Sequence, residues 1–423
     1  MNRTATALKI RDQIQRFLGI FSPHFSKPKM KFIEQMVFGI QASKDVKLSN
    51  IARALDEPIK LKKTEERLSR HLDAPGLGQT VNEQIAKAAG SRIKKDTLII
   101  LDPTDIRKQY AKRMPFLGRV RDGSTGKLVN GYWGCLAVAC EAGKRKMIPL
   151  HQRLWASKAP GFVSENRQLL EIVDTIEASV GKRGIYVMDR GGDRVKLYNP
   201  LLKRQLRFLV RMTKMRHLVF RGRARNVLEL AQSCPMSFHD QVVRETEDGE
   251  KTCQISYGFR RVKLPGKKQQ LFLVVVKGFG KDPLMLLTNV SVKKSRTSLW
   301  FIVEGYLSRW LVEDAIRFIK QSYHLEDIRL LSYHRLQNMM ALVLAAVYFS
   351  SVWLGNTLKL AVLSSHVIKV AKRFYGVTEF CYYALADGIA VLLSRIPASR
   401  IPHQKPPGNT AQSLLPGFTW KLG

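Results

Sequence analysis

Tyr306, Arg309, Glu313, Arg317 and Lys320 fall at intervals that return to one side of an α-helix. That side carries a phenol, a carboxylate and three cations. The carboxylate could hold a divalent metal ion and the cations the phosphates it acts on, because hard ions take oxygen ligands and phosphoryl chemistry depends on placed positive charge. One carboxylate is too few. Asp102 and Asp189 are the candidates for the rest, since each closes an apolar run, residues 97–101 and 184–188, that reads as a buried strand. In a sheet with parallel neighbours, strand ends are where side chains from distant sequence meet. Three carboxylates from separate elements can hold one or two Mg²⁺ ions, which activate an attacking oxygen and neutralise a leaving one.

Each signal also has an ordinary reading. An Asp after a strand is most often a turn or cap residue, and Asp105 and Asp193 compete on those terms with Asp102 and Asp189. Glu313 with Arg317 four residues on reads as a solvated ion pair. Tyr306 and Trp310 read as core or rim aromatics.

The rest of the chain sets the frame. Lys and Arg number 71 against 34 acidic residues over 423, a net charge of +37, which calls for a polyanionic partner, nucleic acid first. A hydrophobic content of 45% excludes a disordered basic tail. Five cysteines without a C-x-x-C pair leave no disulfide framework or cysteine zinc site and fit a reducing compartment. The N-terminus lacks a signal-peptide pattern. Residues 336–358 carry no charge, but Gln337, Asn338, Ser350, Ser351, Gly355 and Asn356 interrupt them, so they read as a buried core helix rather than a membrane span.

The elements that must position the acids follow from hydrophobic period. Residues 1–90 read as helical, and 49–55 and 64–72, joined at Pro58, suit a helix-turn-helix with Arg67, Arg70 and His71 on its second helix. Strands are expected at 97–101, 131–142, 146–155, 184–188 and 207–211, with helices at 164–180 and after Gly192. This order predicts a mixed α/β sheet with helices on its faces, an antiparallel meander followed by parallel additions, as in the ribonuclease H-like fold. Residues 213–295 open with a basic run (Arg216, Arg221, Arg223, Arg225) and hold short strands at 254–259, 271–276 and 284–288, a β-rich insertion. The prolines beyond 397 predict a loosely ordered tail.

Taken together, the motifs resemble the IS4-type DDE transposases. Tyr306, Arg309, Glu313 and Lys320 match every position of that family's Y-x2-R-x3-E-x6-K signature, Asp189-Arg190-Gly191-Gly192-Asp193 matches its D-R-x-x-D, and Asp102-Pro103-Thr104 is similar to its D-x-T. The resemblance implies that Asp102, Asp189 and Glu313 are a catalytic, metal-binding triad for Mg²⁺, with Mn²⁺ able to substitute and two ions expected. It implies that Arg309 and Lys320 contact DNA phosphates with support from Tyr306. Asp105 three residues on keeps the first ligand open between Asp102 and Asp105, and no motif fixes a role for Trp300. The implied organisation is a helical DNA-binding domain (1–90), a ribonuclease H-like core in two parts (91–212 and 296–370), the insertion (213–295) and a tail (371–423) available for dimerisation. The implied activity is cut-and-paste transposition on double-stranded DNA by a homodimer, in the cytoplasm with the nucleoid and away from membranes. A nuclease of the same fold and a catalytically dead DNA-binding regulator are the alternatives.

Overall fold

The computed structural model describes residues 2–394 apart from 109–110, 124, 145, 247–248, 356, 358–359 and 372–381. At its centre lies a mixed sheet. β1 (Leu98–Arg107) pairs antiparallel with β3 (Leu128–Cys140), and β3 pairs on its other edge with β4 (Ile148–Trp155) and with β2 (Gly118–Arg121). On the far side of β1, β5 (Ile185–Met188) and β6 (Arg207–Arg211) are added in parallel. Leaving aside the short β2, the order β4-β3-β1-β5-β6, a meander followed by two parallel strands, is the ribonuclease H-like topology. Two crossovers supply the parallel additions. Both α6 (Glu165–Val180), capped by the Ser164 side chain on the Arg167 amide, and α7 (Val195–Lys203) bury apolar faces.

The first strand does not stop at Asp102. It continues through Pro103 to Arg107 because β3 is long enough to pair along all of it, from Leu98 opposite Cys140 to Arg107 opposite Gly131. What stops near Asp102 is the parallel partner: β5 ends at Met188, opposite Leu101.

The insertion holds a two-stranded ribbon of β7 (His217–Phe220) and β8 (Arg223–Asn226), then α8 (Val227–Gln232), and then β9 (Phe238–Thr246), β10 (Gly249–Val262), β11 (Leu271–Lys277) and β12 (Leu284–Thr288). These last four strands extend the central sheet: β12 pairs antiparallel with β6, and β11, β10 and β9 follow outward. Every residue of β12 is buried, so this apolar strand needs sheet on both edges and material on both faces, and the open edge of β6 supplies one of them.

The N-terminal helices are α1 (Arg3–Leu18), α2 (Lys27–Ser43), α3 (Leu48–Leu55), α4 (Leu61–Leu72) and α5 (Leu77–Gly90). After the insertion come α9 (Arg296–Leu307), α10 (Trp310–Ser322), α11 (Tyr333–Tyr348), α12 (Ala361–Ile368) and α13 (Tyr382–Leu393). α11 is the common centre, packed on α2, α4, α5 and β4. With the π-helical turn Phe349–Leu354 it is long and apolar enough to cross a membrane, yet 89% of its most apolar stretch is buried within the protein. Asn338 ties this helix down from its middle, accepting from the Gly78 amide at 2.8 Å and donating to the carbonyls of Leu72 and Ala74. In α4, the second helix of the expected helix-turn-helix, Arg67 donates to Gln35 and Glu57, His71 stacks on Phe32, and Arg70 is exposed. The tail expected to be loose beyond 397 lies outside the described residues.

Candidate active site

Two carboxylates are placed by strand register alone. Asp102 follows Leu101 and Asp189 follows Met188, and those two residues face each other across the parallel pair β1–β5. Parallel neighbours are about 4.8 Å apart, so both side chains emerge at the same level of the same sheet edge. Past Asp189 the chain turns sharply. A Cβ on Gly192 would lie 2.5 Å from Met188 Cβ, so only glycine lets the backbone fold back there.

That turn delivers Asp193, whose side chain is fully buried. It accepts from the Tyr198 hydroxyl at 3.0 Å, the Thr213 amide at 2.8 Å, the Thr213 hydroxyl at 2.7 Å and Arg216 Nε at 2.9 Å. Asp193 is therefore the joint between the turn and the start of the insertion, with its acceptor capacity spent on protein donors. Arg211, at the end of β6 beside Asp189, comes within 3.8 Å of that carboxylate. Its position was open to inference as the charged residue closing an apolar strand.

The third acid arrives on helices. The spacing of residues 306–320 predicts one continuous helix, but the structure has two, with the break at Ser308 and Arg309. The Ser308 amide and Oγ both donate to the Glu304 carbonyl at 2.8 Å, and the Arg309 amide turns back to Tyr306 in a tighter i−3 bond at 3.0 Å. α9 approaches the sheet closely at Gly305, where a Cβ would sit 3.3 Å from Leu98. This brings the buried Tyr306 over the strand ends, and its hydroxyl donates to Asp189 Oδ1 at 2.9 Å.

Arg309 links the acids. One nitrogen of its guanidinium donates to Asp102 Oδ2 at 3.3 Å and another to Glu313 Oε1 at 2.8 Å, and its Cζ stands 5.8 Å from the centroid of the Tyr306 ring. Its side chain is only 7% exposed, which separates the Arg309–Glu313 pair from an ordinary solvated i,i+4 bridge. Its Nε is buried without a partner among the described residues. Arg317 pairs with Asp314 at 3.4 Å, not with Glu313 as its spacing suggests.

Charge states follow this layout. Burial pushes the Asp102 carboxyl up to about 7; Arg309 opposes this, while Glu313 and Asp189 reinforce it. Burial acts on Asp189 in the same direction, but there the Arg190 amide, Arg309 and the Tyr306 hydroxyl outweigh it and hold the carboxyl below its ordinary value.

Lys320 and Asp105 lie in a different network. Lys320 Nζ is 3.6 Å from Asp105 and 3.2 Å from Glu326, and Glu326 also meets Arg107 at 3.3 Å. Asp105 accepts in addition from the Gly123 amide. The acid grouped with Asp189 and Glu313 is thus Asp102.

Among the described residues, no set of three or more His, Cys, Asp and Glu side chains is gathered closely enough to cage an ion unaided, and Arg309 lies between Asp102 and Glu313. The donor set nevertheless fits a hard divalent cation. All three groups are carboxylates, and Asp102 is a buried acid short of positive charge.

The family profile described as Transposase DDE domain matches residues 93–349, well over half of the chain. The chain belongs to the DDE transposases. All three acids lie inside the matched segment, which begins just before β1 and ends just after α11. No curated protein matches this transposase. Among solved structures it is similar to a piggyBac transposase synaptic complex with hairpin DNA, with a TM-score of 0.46 and 11% identity over 94% of this chain and 80% of that one. Trp300 packs in the core at the insertion, 5.9 Å from Tyr257 between ring centroids, where its sequence position left its role open.

Proposed function

We propose that this transposase cuts DNA at the ends of its element and joins the freed 3′-hydroxyls to target DNA. The observation that carries the reading is the grouping of Asp102 and Asp189, on adjacent parallel strands, with Glu313 through one buried guanidinium. Asp102, Asp189 and Glu313 would hold Mg²⁺, or Mn²⁺ in its place. When bound, divalent ions at such a site acidify a water or hydroxyl and neutralise the charge that builds on the leaving oxygen.

The chain's own residues do the rest. Tyr306 keeps Asp189 ionised and aimed by its hydrogen bond. Arg309 holds Asp102 and Glu313 with its two terminal nitrogens, and this planar fork would be released to a phosphate oxygen next to the scissile bond when a cation takes those carboxylates. Lys320, at the far end of α10, would contact the next phosphates along the strand. The net charge of +37 supplies the general attraction to duplex DNA. Residues 1–90 form the DNA-binding domain in this reading, a homodimer brings the two ends together, and the protein works in the cytoplasm with the nucleoid.

The test is strand cleavage of labelled element-end duplex with Mg²⁺, followed by strand transfer into a plasmid. Asp189→Ala and Glu313→Ala should each cut at least about 100-fold more slowly, since even outer partners of metal ligands are worth 10–100-fold. Equal cutting by either variant would remove the assignment. Cleavage without joining would leave a nuclease.

A further inference from the structure

The basic run that opens the insertion has no task in the active site. Between Asp193 and Glu229 the chain has eleven Lys and Arg residues and not one acid. The structure concentrates part of this charge on the β7–β8 ribbon, which stands outside the central sheet as a separate two-stranded sheet. Every residue from Arg221 to Arg225 is exposed. Among the described residues Arg221, Arg223 and Arg225 have no ion-pair partner, and Arg261 at the end of β10 with Lys263, Lys267 and Lys268 just after it extend the same exposed cationic surface.

We propose that the β7–β8 ribbon is a DNA arm that enters the major groove of the duplex being cut. The inference rests on the transposase reading and assigns one surface to it. Shape favours this groove. Two strands about 4.8 Å apart, with side chains on both faces, fit the roughly 12 Å width of the major groove as it stands, whereas the roughly 6 Å minor groove takes such a ribbon only after it is widened. The tip is a two-residue loop in which Arg221 and Gly222 both have positive φ (50° and 79°), as a tight primed hairpin turn requires. An arginine in the left-handed region is locally unfavourable where Asn or Gly would fit, so its side chain is kept at the tip at a cost.

The ribbon is held against the body of the protein close to its tip. Val219 exchanges both backbone hydrogen bonds with Lys263, and the Phe220 ring centroid is 5.2 Å from the Arg221 guanidinium and 4.8 Å from that of Arg260. The root is also tied to the catalytic edge. Arg216, one residue before β7, is clamped on Asp193, four residues from Asp189. DNA gripped by the ribbon is therefore in fixed register with the carboxylates.

The experiment uses the full-length chain and a 30-bp duplex, with binding followed by fluorescence anisotropy over a range of salt. The triple variant Arg221→Gln/Arg223→Gln/Arg225→Gln is compared with Lys95→Gln/Lys182→Gln/Lys203→Gln, three exposed cations before β1, β5 and β6 at the opposite end of the strands. Each lost phosphate contact lowers the slope of log K against log salt by about 0.9, so the ribbon variant should lose about 3 units of slope and the control none. Filling the major groove with glucosylated hydroxymethylcytosine should weaken the parent by a larger factor than the ribbon variant, and a minor-groove drug should not change the difference between them. A ribbon variant with the parental slope overturns the proposal while the transposase reading stands. Displacement by the minor-groove drug alone also overturns it. A parent that binds no duplex at any salt overturns both readings.

Discussion

Replacing Asp102 by Asn should stabilise the metal-free transposase, and by more at pH 8 than at pH 5. The reason is that folding brings this carboxyl out of water, next to Glu313 and Asp189, with only Arg309 in compensation. Its folded value of about 7 stands against 3.8 in the unfolded chain. The sign follows from proton counting. Over the interval between those values the native state keeps a proton that the unfolded state has given up, so stability falls as pH rises from about 4 to 7 and is level above that. A difference of about 3 units at 1.36 kcal/mol each makes the full cost about 4 kcal/mol, of which about 2–3 kcal/mol accrues between pH 5 and pH 8. Asn has the shape and charge of the protonated acid and escapes this cost. Groups far from residue 102 titrate alike in the two proteins and cancel in the comparison. The assay is urea unfolding in EDTA at both pH values, read as the difference between variant and parent with the m-value unchanged. The advantage of the variant should be larger by about 2–3 kcal/mol at pH 8. An advantage that is the same at both pH values, or larger at pH 5, would refute the electrostatic account of the site.

Asp193→Ala should destabilise by about 3–5 kcal/mol in the same assay, because it strands the Arg216 guanidinium and the Tyr198 and Thr213 donors in a buried joint; a loss below 1 kcal/mol would mean that the joint is not holding the turn. Asn338→Ala removes the acceptor of the Gly78 amide and the donor to two carbonyls, and should cost about 2–4 kcal/mol with no effect on cleavage beyond lost stability. Tyr306→Phe takes one donor from the ionised Asp189 and lets its pKa rise. The Asp189 carboxyl, followed by carbon-13 NMR in the metal-free protein, should then titrate about one pH unit higher than in the parent, given roughly 1.5–3 kcal/mol for a hydrogen bond to a charged group, and an unmoved titration would sever Tyr306 from Asp189.

The parts of this site that could be read from the chain depend on local rules. Apolar runs before Asp102 and Asp189 mark buried strands whatever pairs with them, and the order of strands and helices carries the ribonuclease H-like topology. The parts that could not be read depend on distant partners. β1 continues past Asp102 because β3, some thirty residues downstream, is there to pair with it. The insertion merges with the main sheet because β12 closes on β6 across more than seventy residues, and no period within either strand announces that pairing. Helical spacing has the same limit. It put Arg309, Arg317 and Lys320 on one stripe with Glu313, but a stripe names a face and not the acids opposite it. Arg309 meets Asp102 because β1 ends its parallel pairing there, whereas Lys320, three turns along α10, meets Asp105 and Glu326 instead. Arg317 stays with Asp314 on its own helix. The break after Ser308 is local, the Arg309 amide turning back to the Tyr306 carbonyl, and it leaves Arg309 at the start of α10, where the N–H end of the helix adds its field beside the carboxylates.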